Sequence, residues 1–562
     1  MKILSNKTNL WVFLFFLLTC FSLYQYSLGF WWAWDDTQIL KHALSYQPWQ
    51  YFFSPESWQI LSSANLTPWV SFSFAIDAYL FGHTPAAFYG HQLLALALVV
   101  YLSYALLRLY TGLYPALFGS LLFLCAPASV AISQQLMIRH YLEGLLFFIV
   151  ALYAYIMSLR HAKPVRYYWL SLSVCAFVLA MTAKETYVPL VLLLPFLPEA
   201  TLKQRLTHFI PYLVLLLAYA LWRSFMLESW IGGYQDQAQS LLHLQLQLPV
   251  YLSNMLFGTS TYALLAALLV LSAVLYSLWF FRHTRYLILA SSVLIAGPLL
   301  PVILLLASQS PLNQRLLILP TWAVCMASAL IINQLYQRYR PLKLRILLFL
   351  AVLFMSFIWV RQAMSVHTIL NQQRQAFEVK GRFIAHAKAN QVLVDAGDWY
   401  AHGALWLRQQ SSATAPRLLF DWIEMDQAAL PDNEPASEFF QYQTACACIK
   451  NITPQLEPQL QQWRSQRKST APLSVQLSYQ GHHLQWQFGP YTTGSYQIID
   501  PVLFGASPLP AKGQVRTRYP EPQFRFYLRY QSLEGWIRYS PLLTLDFTTT
   551  PITLDWVNES AK

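Results

Sequence analysis

The chain has 562 residues, 56% of them hydrophobic and only 11% charged, with a formal net charge of +12. A soluble domain usually carries about 25% charged residues, so this composition excludes an ordinary globular protein of the cytosol. The basic residues up to about position 360 lie in short connectors between apolar runs and form no patch, which argues against nucleic acid and for membrane topology.

The first run, Leu10 to Phe30, is long enough to cross a bilayer, which takes about 20 apolar residues. It is too long for the apolar core of a signal peptide and no small-x-small site follows, so it reads as a retained first helix. Directly after it comes WWAWDDTQIL, Trp31 to Leu40, with the adjacent carboxylates Asp35 and Asp36. By itself this stretch is either an interfacial tryptophan belt with helix-stopping acids or a carboxylate pair presented at the membrane surface. Neighbouring carboxylates raise one another's pKa, which suits a general base, and they also suit a divalent cation. Residues 31–85 form a long connector, read as one or two interfacial helices that roof the pair, with Trp49, Trp58 and Trp69 as anchors.

Further apolar runs follow at Ala86–Leu107, Pro115–Ser133, Tyr141–Leu159, Tyr167–Met181, Tyr187–Leu197, Phe209–Phe225, Tyr262–Phe281, Tyr286–Ala307, Leu316–Tyr336 and Ile346–Val360. With the first this makes about eleven expected transmembrane helices. Every second connector is basic: Arg108, then Arg160 to Arg166, Lys203 and Arg205, Arg282 and Arg285, and Arg338 to Arg345. Basic connectors face the cytoplasm, which puts the N-terminus inside and the remaining connectors and the C-terminal part outside. The outward connectors hold the costly polar residues: Gln134, Arg139, His140 and Glu143; Lys184 and Glu185; Asn313 and Arg315. Ionisable groups at membrane depth are usually paired and functional, although a charge at a helix end also snorkels to the headgroups.

Past Val360 the pattern changes. Asn371 to Asn390 has helical spacing, QVLVDAGDWY reads as a buried strand and a turn, and APRLLFDW as a short strand. The polar stretch Asp426 to Thr470 reads as loops. From Leu473, apolar residues alternate: Val475, Leu477 and Tyr479; Leu484, Trp486 and Phe488 after a Gly481-His482-His483 turn; Phe524 to Tyr530; Leu543, Leu545 and Phe547. This is the period of antiparallel strands, so residues 362–562 are expected to form an extracytoplasmic domain of about 190 residues, α/β at its start and a β-sandwich at its end. Residues 1–361 form the transmembrane domain. Cys446 and Cys448 flank one residue; a disulfide across so short a gap is strained, so free thiols or a link to a partner are expected.

The outward face thus offers acids (Asp35, Asp36, Glu143, Glu185) and bases (Arg139, Lys184, Arg315) at the bilayer boundary. Arg and Lys suit an anionic lipid headgroup, and a carboxylate suits proton removal from an acceptor hydroxyl. The mixture fits transfer of a sugar from a lipid phosphate, whose leaving group needs cations more than a proton. Competing readings are an envelope glycan polymerase or ligase and a non-catalytic transporter or assembly protein. The first would need an Arg-rich outer loop and the second mid-span polar residues with internal repeats.

In this order WDDTQIL, NLTPWVSFSFAIDAYLFGHTPAAFYGHQLL, APASVAISQQLMIRHYLEGL, TAKETYVPLVLLLPF and NQRLLILP resemble the GT-C superfamily of polytopic glycosyltransferases, near its protein O-mannosyltransferase and TMTC-like branch. The resemblance covers residues 10 to about 335. It implies a GT-C-like fold in a bacterial inner membrane, with transfer on the periplasmic side and inversion at the anomeric carbon. The base would be Asp35 or Asp36, and a polyprenyl-phosphate sugar would be held by Arg139, Lys184 and Arg315. His140, Glu143, Glu185 and His91 would support the site. The sequence departs from that branch at Thr67-Pro68, where Arg precedes Pro, and at Tyr89 and Gln92, where His and Asn are usual. No tetratricopeptide repeats follow. The acceptor therefore stays open between glycolipid, lipopolysaccharide or oligosaccharide, and protein, and the metal between none and a divalent cation on Asp35 and Asp36.

Overall fold

The computed structural model describes residues 6–230, 247–280, 285–338, 342–394, 399–412, 414–428, 437–468, 473–480, 483–500, 508–516, 523–547 and 552–557. The chain packs as two compact units, Met1–Phe30 with Ala64–Gln372, and Trp31–Ser63 with Gln373–Lys562. The long first connector is therefore divided between them.

The first unit is helical. Among the described residues, 8 helices are long and apolar enough to cross a membrane, or up to 9 if the bent pair Leu113–Leu124 and Pro127–Gln134 is one span. The bend falls where Pro127, which lacks an N–H, begins the second helix, and the Phe123 carbonyl accepts instead from the Ala126 amide at 3.0 Å and the Ser129 hydroxyl at 2.5 Å. All eleven apolar runs coincide with helices. One of them, Tyr187–Leu197, lies mostly on a 3-10 helix of 12 residues, Glu185–Phe196, broken by Pro189 and Pro195. Pro85–Leu107, Leu136–Arg160 and Pro311–Gln337 form the interior. Leu202–Leu227 lies outside, and its Leu206, Ile210, Leu213, Leu217 and Leu221 make an exposed apolar stripe. Such a stripe is stable against lipid tails and costly in water.

The helix Leu342–His386 runs 45 residues, so the last apolar run and the helical segment after it are one element. In the second unit, strands β1 (Gln391–Val394) and β2 (Arg417–Leu418) are parallel, joined by the helix Trp399–Ser411. β3 (Glu438–Gln443) lies parallel to the other edge of β1 and pairs antiparallel with β4 (Cys448–Asn451), giving the order β2-β1-β3-β4. The polar stretch expected as loops therefore supplies two strands and the helix Thr453–Gln466. Only one of that helix's faces is apolar, and Leu456, Leu460 and Trp463 on it are buried. Cys446 and Cys448 form a disulfide, against expectation. Ala447 between them adopts a left-handed backbone (φ +47°), and the Cα atoms stand 5.2 Å apart, within the range a bridge accepts.

The remaining strands form the expected sandwich. They are β5 (Ser474–Gln480), β6 (His483–Gly489), β7 (Ser495–Ile499), β8 (Pro508–Leu509), β9 (Lys512–Arg516), β10 (Gln523–Gln531), β11 (Ile537–Tyr539), β12 (Leu543–Asp546) and β13 (Ile552–Val557). One sheet runs β13-β5-β6-β9; the other runs β11-β10-β7-β8, with β12 also on β10. Val475, Leu477, Leu484, Trp486 and Phe488 from the first meet Phe524, Phe526, Leu528, Tyr530, Leu543 and Leu545 from the second in one core. These are the alternating residues of the sequence, since period-2 alternation puts one set of side chains on one face. Gly481, His482 and the stretch 395–398 lie outside the described residues.

Residues 31–63 belong to this unit. The helices Asp36–Ser45, Pro48–Phe53 and Pro55–Leu61 fold around His42. Trp58, expected as a membrane anchor, is fully buried against His42, whereas Trp49 is 60% exposed. Tyr46 and Tyr51 also pack on the imidazole, and its Nε2 lies 2.9 Å from the Ser57 carbonyl. Burial lowers the His42 pKa to about 4. An unfolded His titrates near 6.5, so the stability that neutral His42 contributes is complete above that pH and is lost as pH falls toward 4. The protection factors of amides across residues 36–61, which take out the pH dependence of intrinsic exchange, should fall between pH 7 and pH 5, reflecting a loss of about 2 kcal/mol. A His42→Gln variant should show a flat profile, and an equally steep one would refute the assignment.

Candidate functional site

Lys184 and Arg315 both approach the start of the helix Arg139–Arg160. Helix Val165–Ala183 ends at Lys184, whose backbone is extended (φ −155°, ψ 132°). Tyr187, one turn on, lies flat on the helix at Gly144, where a Cβ would stand 2.5 Å from the Tyr187 ring. Its hydroxyl donates to the Tyr141 carbonyl at 2.6 Å. This docking sets the Lys184 ammonium 4.5 Å above the Tyr141 ring, a cation–π contact. Arg315 lies on the 3-10 helix Pro311–Leu317, with Nη1 4.0 Å from the Met137 sulfur. That short helix is anchored by Asn313, which donates to the Leu305 carbonyl at 2.6 Å, and by Gln314, which donates to the Met255 carbonyl at 2.7 Å. Both cations thus stand at the residues that open the helix Arg139–Arg160, Lys184 against Tyr141 and Arg315 against Met137. Among the described residues, neither Lys184 nor Arg315 forms an ion pair with a carboxylate.

Arg139, expected beside them, is engaged elsewhere. It is wholly buried, and its Nη1 stands 2.5 Å from Asp77 Oδ2. Nη2 donates to the Phe88 carbonyl at 2.7 Å, and the guanidinium lies over the rings of Phe74 (4.9 Å) and Phe88 (5.4 Å). Asp77 Oδ1 is 2.8 Å from His91 Nδ1, and His91 Nε2 is 3.4 Å from Glu143 Oε1. Glu143 accepts further bonds from Ser73 (2.8 Å) and the Trp69 indole (2.7 Å). The four-residue spacing of Arg139 and Glu143 puts both on one helix face, one turn apart. Sequence reading missed Asp77, Ser73 and Trp69 as partners. The signal was there: Asp77 is the only charge in the apolar helix Trp69–Phe81 and needs a partner. Glu185 is likewise paired, accepting from Arg223 Nε and from the Leu66 amide, both at 2.9 Å.

The acidic pair belongs to the second unit, where its two members differ. Asp36 opens the helix Asp36–Ser45 and is fully buried; its Oδ2 accepts from the Ala33 amide at 2.9 Å. Asp35 is the residue before the helix and is exposed. The turn that carries them bends at Trp34, a bulky residue held at φ +50°. Such a conformation persists only where surrounding contacts enforce it. Thr37 supplies them, donating to the Tyr400 carbonyl at 3.1 Å, with Gly403 so close that a Cβ there would stand 2.5 Å from Thr37 Oγ1. As a cation site the pair fits poorly: one Asp36 oxygen is already held by an amide. Among the described residues no three His, Cys, Asp or Glu side chains are grouped to hold a metal.

The chain matches no protein-family model and no curated protein. Among solved structures it is similar to ArnT from Cupriavidus metallidurans in the apo state, with 13% identity and a TM-score of 0.44 over 78% of this chain and 94% of that one. It is also similar to the same protein bound to undecaprenyl phosphate, with 14% identity and a TM-score of 0.43 over 77% of this chain and 93% of that one. Likeness at this level transfers neither a substrate nor a reaction.

Breaking a buried pair by removing one partner costs about 3–5 kcal/mol, because the other charge stays buried. Arg139→Ala should therefore markedly lower the melting temperature of the detergent-solubilised protein, and Asp77→Leu with Arg139→Met should restore much of it. Lys184→Ala should leave melting nearly unchanged. Equal losses for Arg139→Ala and Lys184→Ala would contradict the division between a structural and a free cation.

Proposed function

We propose that the chain is a membrane glycosyltransferase that moves a sugar from a polyprenyl-phosphate donor to an acceptor on the outer side of a bacterial inner membrane. What carries the proposal is the pair Lys184 and Arg315, two cations brought to the start of the helix Arg139–Arg160, at Tyr141 and Met137, without an ion-paired carboxylate among the described residues. Holding uncompensated positive charge beside apolar helices is unfavourable, and a bound phosphate would offset it. The polyprenyl phosphate that leaves is a phosphate monoester, whose charge cations neutralise directly.

In this reading a carboxylate of the acidic turn removes the proton from an acceptor hydroxyl. The oxygen attacks the anomeric carbon, and the bond from that carbon to the phosphate oxygen breaks. The polyprenyl phosphate departs with the electron pair, its charge met by Lys184 and Arg315. Attack opposite to the leaving group inverts the anomeric centre. Exposed Asp35 is the better placed base, since a proton must reach it from an acceptor, and Asp36 holds the turn through the Ala33 amide. Arg139 stays out of the scheme because Asp77 and the Phe88 carbonyl already occupy it.

Purified full-length protein should bind undecaprenyl phosphate, and Lys184→Ala and Arg315→Ala should each weaken binding about tenfold, the value of one hydrogen bond to a charged group. Asp35→Asn should bind it normally but abolish transfer, read by mass spectrometry of surface glycans and undecaprenyl-linked intermediates. Undiminished binding by the Lys184/Arg315 double variant would overturn the donor site. Full transfer by Asp35→Asn, Asp36→Asn and the double variant would overturn the base.

A further inference from the structure

In the second unit, the helix Asp36–Ser45 lies on the helix Trp399–Ser411 where Thr37 meets Gly403. About one turn beyond that crossing, Lys41 Nζ stands 3.2 Å from His402 Nε2. Burial and the neighbouring ammonium lower the His402 pKa to about 4, so the imidazole is neutral at physiological pH and its Nε2 accepts from Lys41. His402 also lines a cavity of about 520 Å³ with Leu405, Gln409, Arg417, Leu418 and Phe420. His402, Leu405 and Gln409 are spaced for one helix face, while Arg417 and Leu418 come from strand β2. The walls are therefore of two kinds: an apolar surface with one aromatic ring, and a polar edge of His402, Gln409 and the exposed Arg417.

The balance of charge at the edge favours an anion. Among the described residues Arg417 forms no ion pair; Glu424, within its electrostatic reach, accepts the Phe420 amide at 2.7 Å, and burial raises its pKa, weakening its hold on Arg417. A pyranose has the matching character, with an apolar face that packs on aromatic and aliphatic side chains and hydroxyls that pair with amide and imidazole groups. Arg suits a carboxylate or phosphate on such a ring.

We propose that this cavity is a subsite for a sugar carrying an acidic group, a hexuronate or a sugar phosphate. Its role as an acceptor subsite rests on the glycosyltransferase reading. Lys41 lies six residues along the helix from Asp35, about 9 Å at 1.5 Å per residue, so an oligosaccharide held here would extend along the helix that bears the acidic pair.

The test is a ligand-observed NMR titration of the full-length protein in detergent with galacturonate, glucose 6-phosphate, glucose and inorganic phosphate. Galacturonate or glucose 6-phosphate should saturate near about 1 mM, with glucose and inorganic phosphate at least about tenfold weaker. Arg417→Gln, at an exposed position, should remove the preference for the acidic sugars. Leu405→Trp, which fills the cavity without touching a charge, should weaken all sugars about tenfold. Equal binding of glucose or phosphate, no saturation by any probe, or wild-type binding by both variants would overturn the proposal. Asp35→Asn separates the two readings: if it binds galacturonate and still transfers sugar, the base assignment fails while the subsite stands.

Discussion

The ion pair of Arg139 with Asp77 is the interaction on which the membrane-embedded unit most depends. Each charge sits in an apolar helix, where leaving water costs several kcal/mol per ion. Only mutual contact and full hydrogen bonding offset that cost. The pair and its neighbours His91, Glu143, Ser73 and Trp69 therefore hold three helices, Trp69–Phe81, Pro85–Leu107 and Arg139–Arg160, in one relative placement. Against this network Lys184 and Arg315 stand out. They approach the same helix at Met137 and Tyr141 and, among the described residues, form no ion pair with a carboxylate.

A similar division appears in the second unit. The turn bearing Asp35 and Asp36 owes its shape to the C-terminal part of the chain, because Thr37 is seated on Gly403 and bonded to Tyr400. A methyl group at residue 403 would push the start of the helix Asp36–Ser45 away. The C-terminal domain thus contributes to the presentation of the acidic pair, beyond any ligand it binds. Asp421 ties its two halves together, accepting from Arg529 at 2.6 Å and from the Tyr539 hydroxyl at 2.5 Å.

Much of this was legible in the residues. The apolar runs coincide with helices because a bilayer core admits few alternatives to hydrogen-bonded helix. The alternation after Leu473 foretold the sandwich because period 2 has one geometric meaning. Less legible were segments whose apolar residues are few. Residues 437–466 read as loops, yet form two strands and a helix whose stability comes from packing partners distant in sequence: Leu456 and Leu460 join Val392, Val394 and Phe439. The Cys446–Cys448 bridge and the burial of Trp58 were hidden for the same reason. Each depends on a local backbone or a neighbour that composition does not specify.

For the candidate site, the sequence by itself determined which groups are costly enough to require an explanation. Charges inside or beside apolar runs are such groups, whatever the tertiary arrangement. Only the tertiary structure decided how each is satisfied. It paired Arg139 with Asp77, Glu185 with Arg223, and Glu143 with Ser73 and Trp69. It brought Lys184 to Tyr141 and Arg315 to Met137, buried Asp36 and exposed Asp35. The physical reason is one of range. Desolvation cost is a property of a residue in its own helix, whereas its compensation comes from side chains tens of residues away that only folding brings within hydrogen-bond distance.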